Sequence, residues 1–107
     1  MIEIKYYQHK NRYAISTKGH AGYAPLGEDI VCAAVSSAII ELGNYILEHF
    51  ADEDWIVLEI DMTEGEANIE ILDESNSNIA LHIYQMTMEH LVDISESYPL
   101  NVKILDT

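Results

Sequence analysis

The sequence predicts a two-layer α/β sandwich of the α+β kind, in the order ββαββα with a short C-terminal strand and both helices on one face of the sheet. Three observations predict it. Two pairs of short runs alternate apolar and polar residues, each pair joined by a few polar residues. Two longer segments repeat apolar residues at helical spacing. The 107 residues are enough for one core and too few for two ordinary domains, so residues 1–107 read as a single domain.

The elements follow in order. Ile2, Ile4 and Tyr6 alternate with Glu3, Lys5 and Tyr7, and after His9-Lys10-Asn11-Arg12 alternation resumes over residues 13–18, which predicts an antiparallel hairpin. Residues 19–28 hold Gly19, Gly22, Gly27 and Pro25, which break any regular element and leave a loop long enough to carry function. From Asp29, a good N-cap, the period changes: Val31, Ala34, Val35, Ala38, Ile39, Leu42, Tyr45 and Ile46 share one helical face that runs to about His49. Residues 56–62 and 67–72, separated by Thr63-Glu64-Gly65-Glu66, predict a second hairpin with Gly65 in the turn. After a cap region at residues 75–78, Ile79, Ile83, Met86, His90, Leu91 and Ile94 predict a second helix that Pro99 ends, and residues 100–105 have strand character.

Ala33, Ile40 and Leu47 lie opposite the core face of the first helix, which is more apolar surface than one sheet contact requires. Either the second helix or a second copy of the chain must cover them, and a two-fold homodimer is the favoured expectation.

Composition narrows the function classes. Hydrophobic residues at 49% exclude a disordered chain. The net charge of −14 repels phosphates and anionic lipid, so neither nucleic acid nor membrane is expected as a direct partner. The charge is uneven: residues 1–20 carry +3 and the rest −17, a distribution that by itself reads as solvated strand faces and turns. A single Cys forms no intrachain disulfide, no stretch is expected to approach the roughly 20 apolar residues of a membrane helix, and the alternating start lacks a signal peptide's apolar block. A cytoplasmic protein is the expectation.

Cys32 stands three residues after Asp29, in the first turn of the first helix, where free amides and the positive end of the helix dipole favour a thiolate. His20 opens the Gly-rich loop twelve positions earlier, and a loop that returns from a strand end to a helix start can bring the imidazole beside the sulfur. If they meet, His20 can take the thiol proton and the first-turn amides can form an oxyanion hole. Against this stands the plainer reading, in which Cys32 is a small buried hydrophobe and His20 a solvated loop residue.

The whole segment Gly19-His20-Ala21-Gly22-Tyr23-Ala24-Pro25-Leu26-Gly27-Glu28-Asp29-Ile30-Val31-Cys32-Ala33-Ala34-Val35-Ser36 favours the first reading over the second. It closely resembles the signature of the ribosomal-processing cysteine proteases, with Gly-His-Ala at the loop start and Asp-Ile-Val-Cys-Ala-Ala-Val-Ser at the helix start. Tyr98-Pro99 and Val102-Lys103-Ile104 are similar to the family's closing stretch. The resemblance implies a cytoplasmic, homodimeric, two-layer cysteine endopeptidase that removes an N-terminal extension from large-subunit ribosomal protein twenty-seven. It implies Cys32 as nucleophile and His20 as general base. Asp29 and Ser36 match further motif positions: Asp29 caps the helix and is also a candidate to orient His20, while Ser36 either bonds the helix backbone or lines the cleft. Gly19, Gly22 and Gly27 would let the loop open for a peptide and close over it.

Other candidates rank lower. His82 and His90 are eight apart, two turns, with Glu89 nearby; no two histidines are three or four residues apart, so neither metal nor other cofactor is expected. The Gly-rich loop lacks the Lys-Ser/Thr pair of a phosphate cradle. Trp55 reads as an edge anchor at the start of the third strand. The rival function is a non-enzymatic homodimeric adaptor for ribosome assembly, with a peptide bound by the loop and Cys32 as packing; rapid alkylation of the thiol at neutral pH separates the two.

Overall fold

In the computed structural model, which describes residues 1–25, 27–50, 52–75 and 78–105, the first hairpin forms as its alternation requires. β1 (Ile2–His9) and β2 (Arg12–Lys18) pair antiparallel from Glu3↔Lys18 to His9↔Arg12. One face of the pair buries Ile2, Ile4, Tyr13, Ile15 and Thr17, and the other keeps Glu3, Lys5 and Arg12 in water. The second hairpin comprises β3 (Ile56–Thr63) and β4 (Glu66–Asp73). β4 then pairs with the free edge of β2, from Arg12↔Leu72 to Lys18↔Glu66. The last strand, β5 (Val102–Leu105), lies parallel to β1, which gives one five-stranded sheet in the order β3-β4-β2-β1-β5. It is shorter than the expected 100–105 because the chain turns at Tyr98–Asn101 before pairing begins: the Asn101 and Val102 amides both donate to the Tyr98 carbonyl, at 2.9 and 3.0 Å.

Two helices cover the apolar face, as expected. α1 (Ile30–Phe50) packs over β3 and β4, α2 (Ile79–Ser97) packs over β5, and the two pack on each other. The buried residues of α1 are Val31, Val35, Ala38, Ile39, Leu42, Gly43 and Ile46. Ile40 and Leu47 remain 42% and 51% exposed, so α2 does not cover the spare face of α1. By length and composition α1 also has the apolarity of a membrane span, contrary to the expectation that no stretch approaches one. Its two apolar faces are the reason, and one of them forms the core of this domain.

The face of α2 differs from the expected one. Ala80, Tyr84, Thr87, Leu91 and Ile94 point inward, whereas Ile79 and Met86 are 41% and 59% exposed and His90 faces solvent. Tyr84 accounts for the rotation. Its ring packs 5.4 Å from that of Tyr13, and its hydroxyl donates toward the carbonyls of Tyr7 (3.1 Å) and Ala14 (3.0 Å) across the β1–β2 pair. Burial pushes that hydroxyl up to about 12, so it stays a donor at any ordinary pH. At the N-terminus of α2, Asn78 adopts φ 60 with no side-chain capping bond, so the cap expected over residues 75–78 is not a side-chain one at Asn78; residues 76 and 77 lie outside the described set. Tyr84→Phe keeps the ring and removes the hydrogen bond, and is expected to lower the unfolding free energy by about 1–2 kcal/mol in urea titration. An unchanged urea midpoint would show that the hydroxyl contributes nothing to the orientation of α2.

Candidate active site

The end of β2 starts the site. The chain leaves the sheet at Gly19, where φ is +104 and any Cβ would fall on the Met1 carbonyl oxygen, so glycine alone fits. The Gly19 amide donates to the Gly65 carbonyl at 2.8 Å, which ties the base of the loop to the β3–β4 turn. Gly22 and Gly27 also hold positive φ, +69 and +89, with open space where a Cβ would stand. The loop is fastened to the C-terminal segment as well: the Asn101 side chain donates to the Ala21 carbonyl at 2.9 Å, and the rings of Tyr23 and Tyr98 meet edge to face at 5.5 Å.

Asp29 begins α1 as the N-cap its position predicts. Its Oδ1 accepts from the Val31 and Cys32 amides, both at 3.0 Å, and its Oδ2 from the Tyr23 amide at 3.1 Å. With both oxygens committed to backbone, Asp29 holds the loop to the helix; among the described residues it makes no bond to His20. The same contacts correct a second expectation. The Val31 and Cys32 amides of the first turn are capped rather than free to form an oxyanion hole. The Cys32 N–H holds the Asp29 carboxyl below the usual carboxylate range; desolvation opposes it, and the Tyr23, Ala24 and Val31 amides add to it. A lowered carboxyl pKa stabilises the fold above the ordinary carboxylate range, and that contribution is lost as pH falls through the folded-state value. Asp29→Ala is expected to lower Tm by about 5 °C at neutral pH and by less at pH 3, read by thermal melts. An equal loss at both pH values would contradict the cap.

Cys32 is half-buried at the edge of the core. The Ala21 amide donates to its Sγ at 3.2 Å, a bond that strengthens if the sulfur carries negative charge. His20 is exposed, and its ring lies on Gly65. His20 and Cys32 line one cleft of about 530 Å³, together with Asp29, Ser36 and the three loop glycines. Among the described residues the two side chains share no direct hydrogen bond; the cleft, not a bond, is what brings them together. Ser36 is exposed on the cleft wall one turn beyond Cys32, and it is Ser37 whose hydroxyl bonds the helix backbone, to the Ala34 carbonyl at 3.1 Å.

The opposite wall was missed by sequence reasoning. Thr63, Glu64, Gly65 and Glu66, read only as a turn, line the cleft because β4 pairs with β2 and carries the turn to the point where the loop begins. No local pattern signals a pairing between strands some fifty residues apart. His82 and His90 are exposed on α2, away from this cleft, and among the described residues no group of three or more His, Cys, Asp or Glu is placed to hold a metal ion. Trp55 is anchored at the start of β3 by a bond from its Nε1 to Glu53 (2.8 Å) and an edge contact with Phe50.

A half-buried thiol in a helix's first turn, a backbone amide on its sulfur and an imidazole in the same cleft suit nucleophilic attack on a carbonyl. Comparison with known families agrees: the family model described as cysteine protease Prp matches residues 1–103. The chain belongs to the Prp family. Its fold is similar to that of an essential ribosomal processing protease Prp from S. aureus, solved with a covalently linked product peptide, at 24% identity over the whole of both chains and a TM-score of 0.83. The same Prp with a substrate peptide superposes at a TM-score of 0.80 and 23% identity, again over both whole chains. A third structure, SMU.848 from Streptococcus mutans, is 27% identical over all of this chain and 94% of its own, with a TM-score of 0.69. No curated protein matches the chain. As a Prp family member the chain is a cysteine protease by descent, and Cys32 is its one cysteine.

Proposed function

We propose that this chain is a cysteine endopeptidase that removes the N-terminal extension of large-subunit ribosomal protein twenty-seven, with Cys32 as nucleophile and His20 as general base. The observation that carries the reading is the cleft that holds the only thiol of the chain, the Ala21 amide on that sulfur, and His20. In the reaction, His20 takes the Sγ proton and the thiolate attacks the scissile carbonyl. His20 then returns that proton to the leaving amine as the C–N bond breaks, which frees the mature protein and leaves the extension as a thioester on Cys32. Water, deprotonated by His20, attacks the thioester and regenerates the thiol. Bound peptide brings the imidazole into contact with the sulfur, a bond that apo enzymes often lack. Throughout, the Ala21 N–H offsets negative charge on sulfur.

Charge supports the choice of substrate. Asp29, Glu64 and Glu66 line the cleft of a protein with net charge −14, a surface that attracts a basic chain such as a protein that contacts RNA. The test is incubation of the chain with the extended ribosomal protein and mass analysis of the products. One cut that releases the intact extension is the expected result; an uncleaved substrate with a folded chain would sink the assignment.

A cytoplasmic homodimer completes the proposal. The exposed Ala33, Ile40 and Leu47 form an apolar strip on α1 that the fold leaves uncovered, and a second copy would bury it. Replacing both Ile40 and Leu47 with Glu is expected to convert a dimer to a monomer in sedimentation. A monomer already in the unmodified chain would contradict this.

A further inference from the structure

We infer that Gly65, in the turn between β3 and β4, is a positioning residue: the absence of a side chain there makes the seat on which the His20 imidazole lies. The inference rests on the reading of His20 as general base. A Cβ built on Gly65 would stand 3.0 Å from Nε2 of His20, 3.4 Å from Cε1 and 3.7 Å from Cδ2. A Cβ there would therefore press on the Nε2 end of the ring, tighter than an ordinary contact, while Cε1 and Cδ2 stand at ordinary contact distance. The turn is held in register with the ring from two sides. Thr17↔Ala67 and Lys18↔Glu66 pairing carries it to the end of β2, and the Gly19 amide bonds its carbonyl one residue before His20. Gly65 itself has φ +78, a conformation costly for alanine and mild for asparagine.

The geometry separates catalysis from folding. The group a Cβ meets is the free end of an exposed side chain, so the ring can give way by a few tenths of an ångström or rotate off at little cost to the fold. Proton transfer tolerates such displacement poorly. Gly65→Asn, which suits the left-handed turn yet places a Cβ under the ring, is the informative variant; Gly65→Ala adds backbone strain to the same contact.

Both variants and His20→Ala are assayed for kcat, KM and the pH profile of kcat/KM on the extended substrate, with Tm measured alongside. The expected result for Gly65→Asn is a kcat about tenfold lower or less still, KM within about twofold, a displaced pH profile, and Tm within a few degrees of the unmodified chain. Gly65→Ala loses at least as much kcat and melts lower. A Gly65→Asn chain with unchanged kcat and pH profile, one whose loss is confined to KM, or one that does not fold would each overturn the inference and leave Gly65 as a turn residue or a substrate contact. If His20→Ala keeps full activity, the reading of His20 fails instead, and the two failures are thereby told apart.

Discussion

Cys32→Ser and Cys32→Ala fold as the unmodified chain does and lose peptidase activity by about 10⁴-fold or more, the scale at which loss of a nucleophile abolishes covalent catalysis. The fold survives because Cys32 lies at the edge of the core rather than inside it. Serine is slightly smaller but keeps an acceptor for the Ala21 amide that now reaches sulfur at 3.2 Å. What it lacks is the nucleophilicity of sulfur, since a hydroxyl beside one imidazole is a far weaker nucleophile than a thiol. Circular dichroism and melting curves check the fold, and a peptide-release assay checks activity. If Cys32→Ala retains cleavage, the nucleophile lies elsewhere.

His20→Ala produces the second large effect. Its activity falls by about 10²- to 10⁴-fold, the usual contribution of a positioned proton carrier, and the loss lies in kcat more than in KM. The fold tolerates the change because the ring is exposed and lies on a turn rather than in the core. Alkylation of Cys32 by iodoacetamide at neutral pH should slow in the same variant, since the thiolate loses its nearby base. That second readout isolates the thiol from substrate binding: an alkylation rate equal to the unmodified chain's, with kcat reduced, would confine the action of His20 on the sulfur to the peptide-bound enzyme.

The parts of this fold written in local pattern were legible. Alternation placed β1 to β4 within a residue or two of their ends, and the Asp29 cap with the repeat from Val31 to Ile46 placed α1. The sheet order was not legible, because the β2–β4 and β1–β5 pairs join distant segments whose match is set by packing. The face of α2 misled for a related reason. Ile79 and Met86 are the more hydrophobic residues, yet Tyr84 and Thr87 face inward because a tyrosine hydroxyl finds two carbonyls of the hairpin there. At the site, the two residues that the motif singles out, His20 and Cys32, line one cleft. The fate of the first-turn amides depended on Asp29 turning its side chain back over them, and the seat of His20 on Gly65 depended on the β2–β4 pairing.

The central claim is that the Cys32 sulfur attacks the scissile carbonyl and carries the extension as a thioester. Intact mass spectrometry of the chain, quenched in acid within the first turnover on the extended ribosomal protein, tests it most directly. The account predicts a transient adduct whose mass equals the extension less one water, mapped to Cys32 by peptide fragmentation and lost in Cys32→Ala. Cleavage by the Cys32→Ala chain, or an adduct mapped to another residue, would contradict it.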